Sequence, residues 1–264
     1  MTTVVGRDVV KGLEALGIGP GDTMLVHSSL SSMGHVEGSA NTVIDALQHV
    51  VGRDGLVVLP THTWDTVKRR QPVFHVSLTP SIVGKMTEVF RKRAGVVRSW
   101  HPTHSVAAMG KRAQEFLQGH ERWSTPCAKD SPYGRLVAEH GSVILLGVDL
   151  SVFTLMHGFE EWAELPWVFN REELLYTVLD NGQVLSVPSR RHTDAEGYDR
   201  DFPALEPLLR DGGAIRYAKI GEATVRRIDA ALAWEILEPM LAAYPDLVLA
   251  RRTAEAKSAV AMEG

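Results

Sequence analysis

The densest run of chemistry-bearing residues is Leu150-Ser151-Val152-Phe153-Thr154-Leu155-Met156-His157-Gly158-Phe159-Glu160-Glu161-Trp162, directly after the apolar segment SVILLGVD. On a helix, Thr154 lies three residues before His157, and Glu160 and Glu161 lie three and four beyond it, so all four share one face. A carboxylate one turn from an imidazole fixes its tautomer and raises its basicity, as a general base requires. Two further stretches end apolar segments in polar residues. His27-Ser28-Ser29-Leu30-Ser31-Ser32, followed by Gly34 and Gly38, offers hydroxyls and backbone N–H groups ahead of a helix. That suits a phosphate or a ligand amide, or simply a serine-rich turn. Pro60-Thr61-His62-Thr63-Trp64-Asp65 mixes imidazole, indole and carboxylate, where the plain alternative is a packed Trp64 and a solvated Asp65.

Arg98-Ser99-Trp100-His101-Pro102-Thr103-His104-Ser105 packs an arginine, two histidines and three hydroxyls into eight residues. Every buried polar group needs a partner, so this density suits a polar pocket wall better than a core. Within Thr125–Tyr133, Ser131 reads as an N-cap and Pro132 as a first helical residue, which makes that helix start a candidate anion site. Cys127 is the single cysteine. Nothing in the sequence activates it, and a buried inert thiol is expected.

Alternating helix and strand signals must position these residues. Apolar spacing predicts a helix through Val9, Leu13 and Leu16 that stops at Gly17, a buried strand at 23–30, a helix over 39–51 and a second strand at 55–64. Thr79 and Pro80 read as the cap and first residue of a helix running through IVGKMTEVFRKR. Strands at SVAAMG and SVILLGVD and a helix over 152–164 follow. Residues 173–188 read as a hairpin around Asn181-Gly182. Two short strands in 215–229 and a helix over 230–244 complete the pattern, and the tail 250–264 lacks a core stripe and is expected to fray. One mixed sheet covered by helices on both faces is expected, as a single domain over 1–264.

Composition bounds the function. With 264 residues, 44% hydrophobic and 23% charged, the chain can bury a core. A formal net charge of -4 argues against wrapping nucleic acid. No apolar run is long enough to span a bilayer, and the polar start MTTVVGRDVVKG is no secretory signal, so a cytoplasmic protein is expected. The 11 histidines suggest a metal-dependent hydrolase with ligands from His62, His101, His104, His157 and Asp149, yet no HxH or HExxH spacing supports a metal site. His27, His62, His101, His104, His157 and His192 instead fall at six segment ends that can share one cleft.

Five segments together resemble the aminoglycoside 3-N-acetyltransferase family: LVHSSLSSMG (25–34), GLVVLPTHTW (55–64), the TPSIVGKMTEVFRKRAGVVRSWHPTHSVAAMG block (79–110), SPYGRL (131–136) and LLGVDLSVFTLMHGFEEW (145–162). They keep the family's order and spacing over most of residues 1–165. The resemblance implies a three-layer α/β/α fold with a central mixed sheet, and transfer of an acetyl group from acetyl-coenzyme A to an amine of an aminoglycoside-type antibiotic. It implies coenzyme A against Ser28, Ser29, Leu30 and Ser31 and against Arg98, Ser99, His101 and Ser105, with Ser131 nearby. It makes His157 the catalytic histidine, Thr154 its neighbour, and Trp64 and Asp65 the acceptor wall. The implied partner is a small-molecule amine, with neither membrane nor nucleic acid, and a homodimer is compatible with the sequence. No metal is required.

The chain departs from the family where a carboxylate after the hairpin assists the histidine. Here Pro188-Ser189-Arg190-Arg191-His192-Thr193-Asp194 occupies that stretch. Three readings stay open: Asp194, Glu196, Glu160 or Glu161 supplies the carboxylate; Arg190, Arg191 and His192 bind an anionic group of the acceptor; or the turn is merely solvated. Two other functions remain beside the aminoglycoside enzyme: an acetyltransferase of the same fold acting on another amine, and a coenzyme A-binding protein without turnover.

Overall fold

The computed structural model describes residues 3–193 and 195–251. Three apolar segments, Ser142–Leu146, Thr23–Ser28 and Leu56–Pro60, lie side by side and parallel at the centre of a seven-stranded sheet. Antiparallel strands flank them: Ala223–Asp229 and Ile215–Ile220 on one side, Val106–Met109 and Val97–Arg98 on the other. Parallel strands tolerate no solvent on either face, and the two outer members of the trio are buried at every position.

Alternate side chains feed two cores. Leu25, Val143 and Leu145 pack with Leu136, Leu155, Phe159 and Leu237 of the helices Pro132–Ala138, Leu155–Trp162 and Ala230–Ala243. Met24, Val26, Ile144 and Leu146 pack with Val9, Leu13, Ile44 and Phe90 of Gly6–Ala15, Ser39–Val51 and Lys85–Phe90 on the opposite face. Helix, sheet and helix thus form three layers with a central mixed sheet.

Several expectations are corrected. The hairpin strands Glu173–Val178 and Val184–Ser189 form as read, with Gly182 at positive φ, but they stand outside the main sheet. Glu173–Val178 pairs on its other side with Val73–His75, over a small core of Phe74, Leu175 and Leu179. Alternation specifies a strand and its face, not its neighbour. The helix expected from Pro80 begins at Lys85. The Thr79 carbonyl accepts from Arg98 Nη1 at 2.6 Å, and Thr79 Oγ1 accepts from the His75 backbone N–H at 2.8 Å. Both groups are therefore committed to a turn, and Gly84 at φ +113° sets the real helix start. The helix expected over 152–164 is a short 3₁₀ turn, Leu150–Val152, followed by Leu155–Trp162. Ala250 and Arg251, expected to fray, pair with Asp199 and Tyr198 in an antiparallel ribbon. Residues 252–264 lie outside the described residues.

The carboxyl ends of the three parallel strands deliver His27 and Ser28, Pro60 to His62, and Val148 to Thr154 to one edge of the sheet, where α/β proteins bind ligands. Gly147 lets the Ser29–Ser32 loop press against that edge. A Cβ on Gly147 would come within 2.6 Å of Ser32 Cβ, and its φ is +69°.

Candidate active site

Two cavities open at this edge and share Ser28 as a lining residue. The larger, about 740 Å³, is lined by His27, His62, Trp64, His104, Thr154, His157, Arg191, His192, Asp199 and Arg200 among others. The smaller, about 600 Å³, is lined by Ser28, Ser29, Leu30, Ser31, Ser39, Lys85 and their neighbours. Five of the six histidines predicted to share a cleft therefore line one cavity. The sixth, His101, sits behind the wall and is fully buried.

His157 lies on the first turn of its helix, which carries its ring to the cavity. The Nδ1–H donates to Glu160 Oε2 at 3.0 Å, leaving Nε2 as the ring's acceptor. Glu160 is fully buried, and Arg200 Nε donates to both its oxygens at 2.8 and 2.9 Å. A buried carboxylate is tolerable only when paired and hydrogen-bonded, and Arg200 supplies both. The His192 ring stacks on His157 with centroids 4.8 Å apart, and Phe202 meets it edge-on at 5.2 Å.

Glu161 serves a different neighbourhood. Thr125 Oγ1 donates to Glu161 Oε1, and His192 Nε2 lies 3.4 Å from Glu161 Oε2. Burial pushes the Glu161 carboxyl up to about 7, against the lowering effects of the Thr125 hydroxyl and Arg190. Burial also holds His192 well below the ordinary imidazole value, helped by the nearby His157 and Arg200.

The other predicted residues divide. Trp64 lines the larger cavity and is 42% exposed, whereas Asp65 points to solvent and pairs with Lys68. Arg191 lines the cavity, its Nη1 donating to the Trp64 carbonyl at 2.9 Å, while Arg190 stacks over Phe169 at 4.6 Å, outside the lining. Asp194 lies outside the described residues. Ser28, Ser29, Leu30 and Ser31 line the smaller cavity, and Ser28 Oγ is buried without a hydrogen-bond partner. Arg98, Ser99, His101, Ser105 and Ser131 line neither cavity. Arg98 Nε donates to Thr61 Oγ1 and Ser105 Oγ, and its Nη atoms donate to the carbonyls of Thr61, Val76 and Thr79. The guanidinium is thus a strut under the wall, and burial draws it down to about 9. Ser99 Oγ meets His120 Nδ1 at 2.9 Å. Ser131 caps its helix as expected, accepting from the Tyr133 N–H, but is fully buried. Cys127 is buried, and desolvation raises its thiol well above the ordinary value, so it is inert as a nucleophile.

Sequence reasoning missed Arg200 and Lys85. Arg200 ends the short strand Tyr198–Arg200, which pairs with Leu249–Arg251. No local pattern marks it. Among the described residues, no group of three or more His, Cys, Asp or Glu is placed to hold a metal ion, nor is any helix long and apolar enough to cross a membrane.

A polar cleft at parallel strand ends, with a carboxylate-held imidazole on its lining, is the arrangement of an α/β protein with a small-molecule site. Residues 25–242 match the family model described as aminoglycoside 3-N-acetyltransferase, and the chain belongs to that family. Aminoglycoside N(3)-acetyltransferase VII of Streptomyces paromomycinus is 37% identical over 175 residues, and the match spans 60% of this chain and 60% of that relative's length. Aminoglycoside N(3)-acetyltransferase IX of Micromonospora chalcea is 30% identical over 246 residues, covering 83% of this chain and 86% of the relative. The crystal structure of aminoglycoside acetyltransferase AAC(3)-Xa superposes with a TM-score of 0.80 at 30% identity, covering 91% of this chain and 93% of that one.

Proposed function

We propose that the protein transfers an acetyl group directly from acetyl-coenzyme A to an amine of an aminoglycoside-type acceptor, with His157 as general base. One observation carries the mechanism: His157 Nδ1 is held by Glu160, which Arg200 holds in turn, so Nε2 is the acceptor. When bound, acetyl-coenzyme A supplies an activated thioester. Its groove is the smaller cavity, where Ser28 Oγ still needs a partner and Lys85 and the start of Ser39–Val51 offer positive potential to phosphates. The acceptor occupies the larger cavity against Trp64 and Asp199. His157 Nε2 takes the proton that the amine sheds as it acylates, and buried Glu160 stabilises the resulting imidazolium.

Thiol release with acetyl-coenzyme A and an aminoglycoside panel tests this reading. His157→Ala should lose ~10²–10⁴-fold in kcat while still binding coenzyme A. Full activity in that variant would overturn the assignment of the base.

A second reading concerns the acceptor alone. Among the described residues lining the larger cavity, Asp199 is the one acidic side chain, whereas Arg191 and Arg200 are both cationic. An amine that also bears a phosphate or carboxylate would find a partner in Arg191. Preference for such amines, weakened by Arg191→Ala, would select this reading over a polycationic acceptor.

A further inference from the structure

Two imidazoles in the larger cavity, His62 and His104, have no carboxylate behind them, and each has one ring nitrogen engaged by a hydroxyl. The Tyr133 hydroxyl meets His62 Nε2 at 2.8 Å, and burial keeps that phenol protonated. A protonated phenol can donate to that nitrogen, and in that arrangement the proton of His62 is on Nδ1. Thr103 Oγ1 lies 2.9 Å from His104 Nδ1 but 3.4 Å from His101 Nδ1, which already accepts the His104 backbone N–H at 3.1 Å. With the hydroxyl proton on that nearer, open acceptor, the proton of His104 is on Nε2. The two rings lie 4.8 Å apart, and both line the same cavity as His157. Burial holds both well below the ordinary imidazole value, and each is close enough to His157 that positive charges on the two would repel.

Resting on the acetyl-transfer reading, we propose that His62 Nδ1–H and His104 Nε2–H form an oxyanion hole for the thioester carbonyl. The free-base amine attacks the carbonyl carbon, the C–N bond forms, and the C=O π pair moves onto oxygen. That oxygen receives the two N–H bonds while His157 Nε2 takes a proton from nitrogen. Collapse re-forms the C=O bond and breaks the C–S bond, and the thiolate takes the proton from His157. Amide and thiol are the products, and no other reactant is needed. Neutral donors suit this position, because a second imidazolium would oppose the one forming at His157. Neutral imidazole N–H groups serve as electrophiles in this way when their environment lowers their basicity.

The first test is the tautomer of each ring in the unliganded protein. Imidazole ¹⁵N shifts, assigned with His62→Asn and His104→Gln, should report Nδ1–H at His62 and Nε2–H at His104. In kinetics, His62→Leu and His104→Leu should each lose ~10²–10³-fold in kcat with little change in KM, and His104→Gln, which keeps an N–H, should recover at least about tenfold. By calorimetry, His104→Leu should weaken S-carboxymethyl-coenzyme A, whose carboxylate mimics the oxyanion, by about tenfold and leave coenzyme A unchanged. The opposite tautomer at either ring overturns the proposal, as does equal weakening of the two ligands or unchanged kcat in a folded leucine variant. If the parent binds no coenzyme A and acetylates no amine, the acetyl-transfer reading itself has failed. If it does both and the donors prove silent, only the oxyanion assignment has failed.

Discussion

The same residue type meets two fates around one cavity. His157 is backed by Glu160 and Arg200, so its charged form has a counter-ion ready. His62, His101, His104 and His120 form a contiguous buried block, with neighbouring ring centroids 4.8 to 6.1 Å apart, backed by hydroxyls and main chain. Desolvation lowers all four, His120 to about 4. What separates a base from a neutral donor is the group behind the ring: a carboxylate favours imidazolium, whereas a hydroxyl or peptide in a dry setting favours imidazole.

Acid exposes that difference most strongly. The folded values of the block and of His27, itself near 4, lie below the unfolded value of 6.5, so the unfolded chain binds more protons. Their stabilisation is complete above pH 6.5 and is lost as the pH falls toward 4. His27 and His120 account for up to about 3 kcal/mol each on this basis. Urea unfolding at pH 7 and 5 should show a steep fall in stability, and His120→Phe should flatten it. A pH-independent midpoint across this range would mean the block is not dry.

Next in size is loss of Arg200. In Arg200→Ala the Glu160 carboxylate stays buried without its cationic partner, which should cost about 3–5 kcal/mol. Without that partner Glu160 is no longer held in place against His157, and kcat should fall by ~10²-fold or more. Arg200→Lys restores the charge but not the fixed Nε–H shared by the two Glu160 oxygens, so it should recover stability better than turnover. Denaturant melts and acetyl-transfer kinetics on both variants check this. Equal recovery of both properties would make Arg200 a simple counter-charge.

The two surroundings also differ in how legible they are in sequence. Helical spacing was enough to bring Glu160 to His157, and the buried run SVILL was enough to bring that helix to the strand ends. The Arg98–Ser105 density was legible as a polar wall but not as its interior. Whether Arg98 faces a ligand or five protein acceptors depends on which loops close over it, and those loops are 22 and 37 residues away in sequence. Arg200 was silent for the same reason, since its strand pairs with residues 249–251. Thr79-Pro80 carried a sound capping signal, but tertiary bonds from Arg98 and the His75 backbone overrode it.

Glu161 gives the smallest and most discriminating effect, because its pH dependence has the opposite sign to that of the histidine block. Its carboxyl titrates near 7 in the folded protein, above its ordinary 4.5, because burial outweighs the Thr125 hydrogen bond. Here the folded state holds the extra proton. The contribution is complete below pH 4.5 and is lost as the pH rises through 7. Glu161→Gln keeps an acceptor for Thr125 and cannot ionise. The variant should match the parent near pH 5 and exceed it near pH 8 by about 1–3 kcal/mol, less than a fully dry site would give. Urea midpoints at the two pH values read the difference directly. If instead the variant is weaker than the parent at pH 8, Glu161 is ionised and paired there, and the His192 ring 3.4 Å away must then carry the matching proton. In that case the stack on His157 would hold a second charge, and the neutral wall would end at His104.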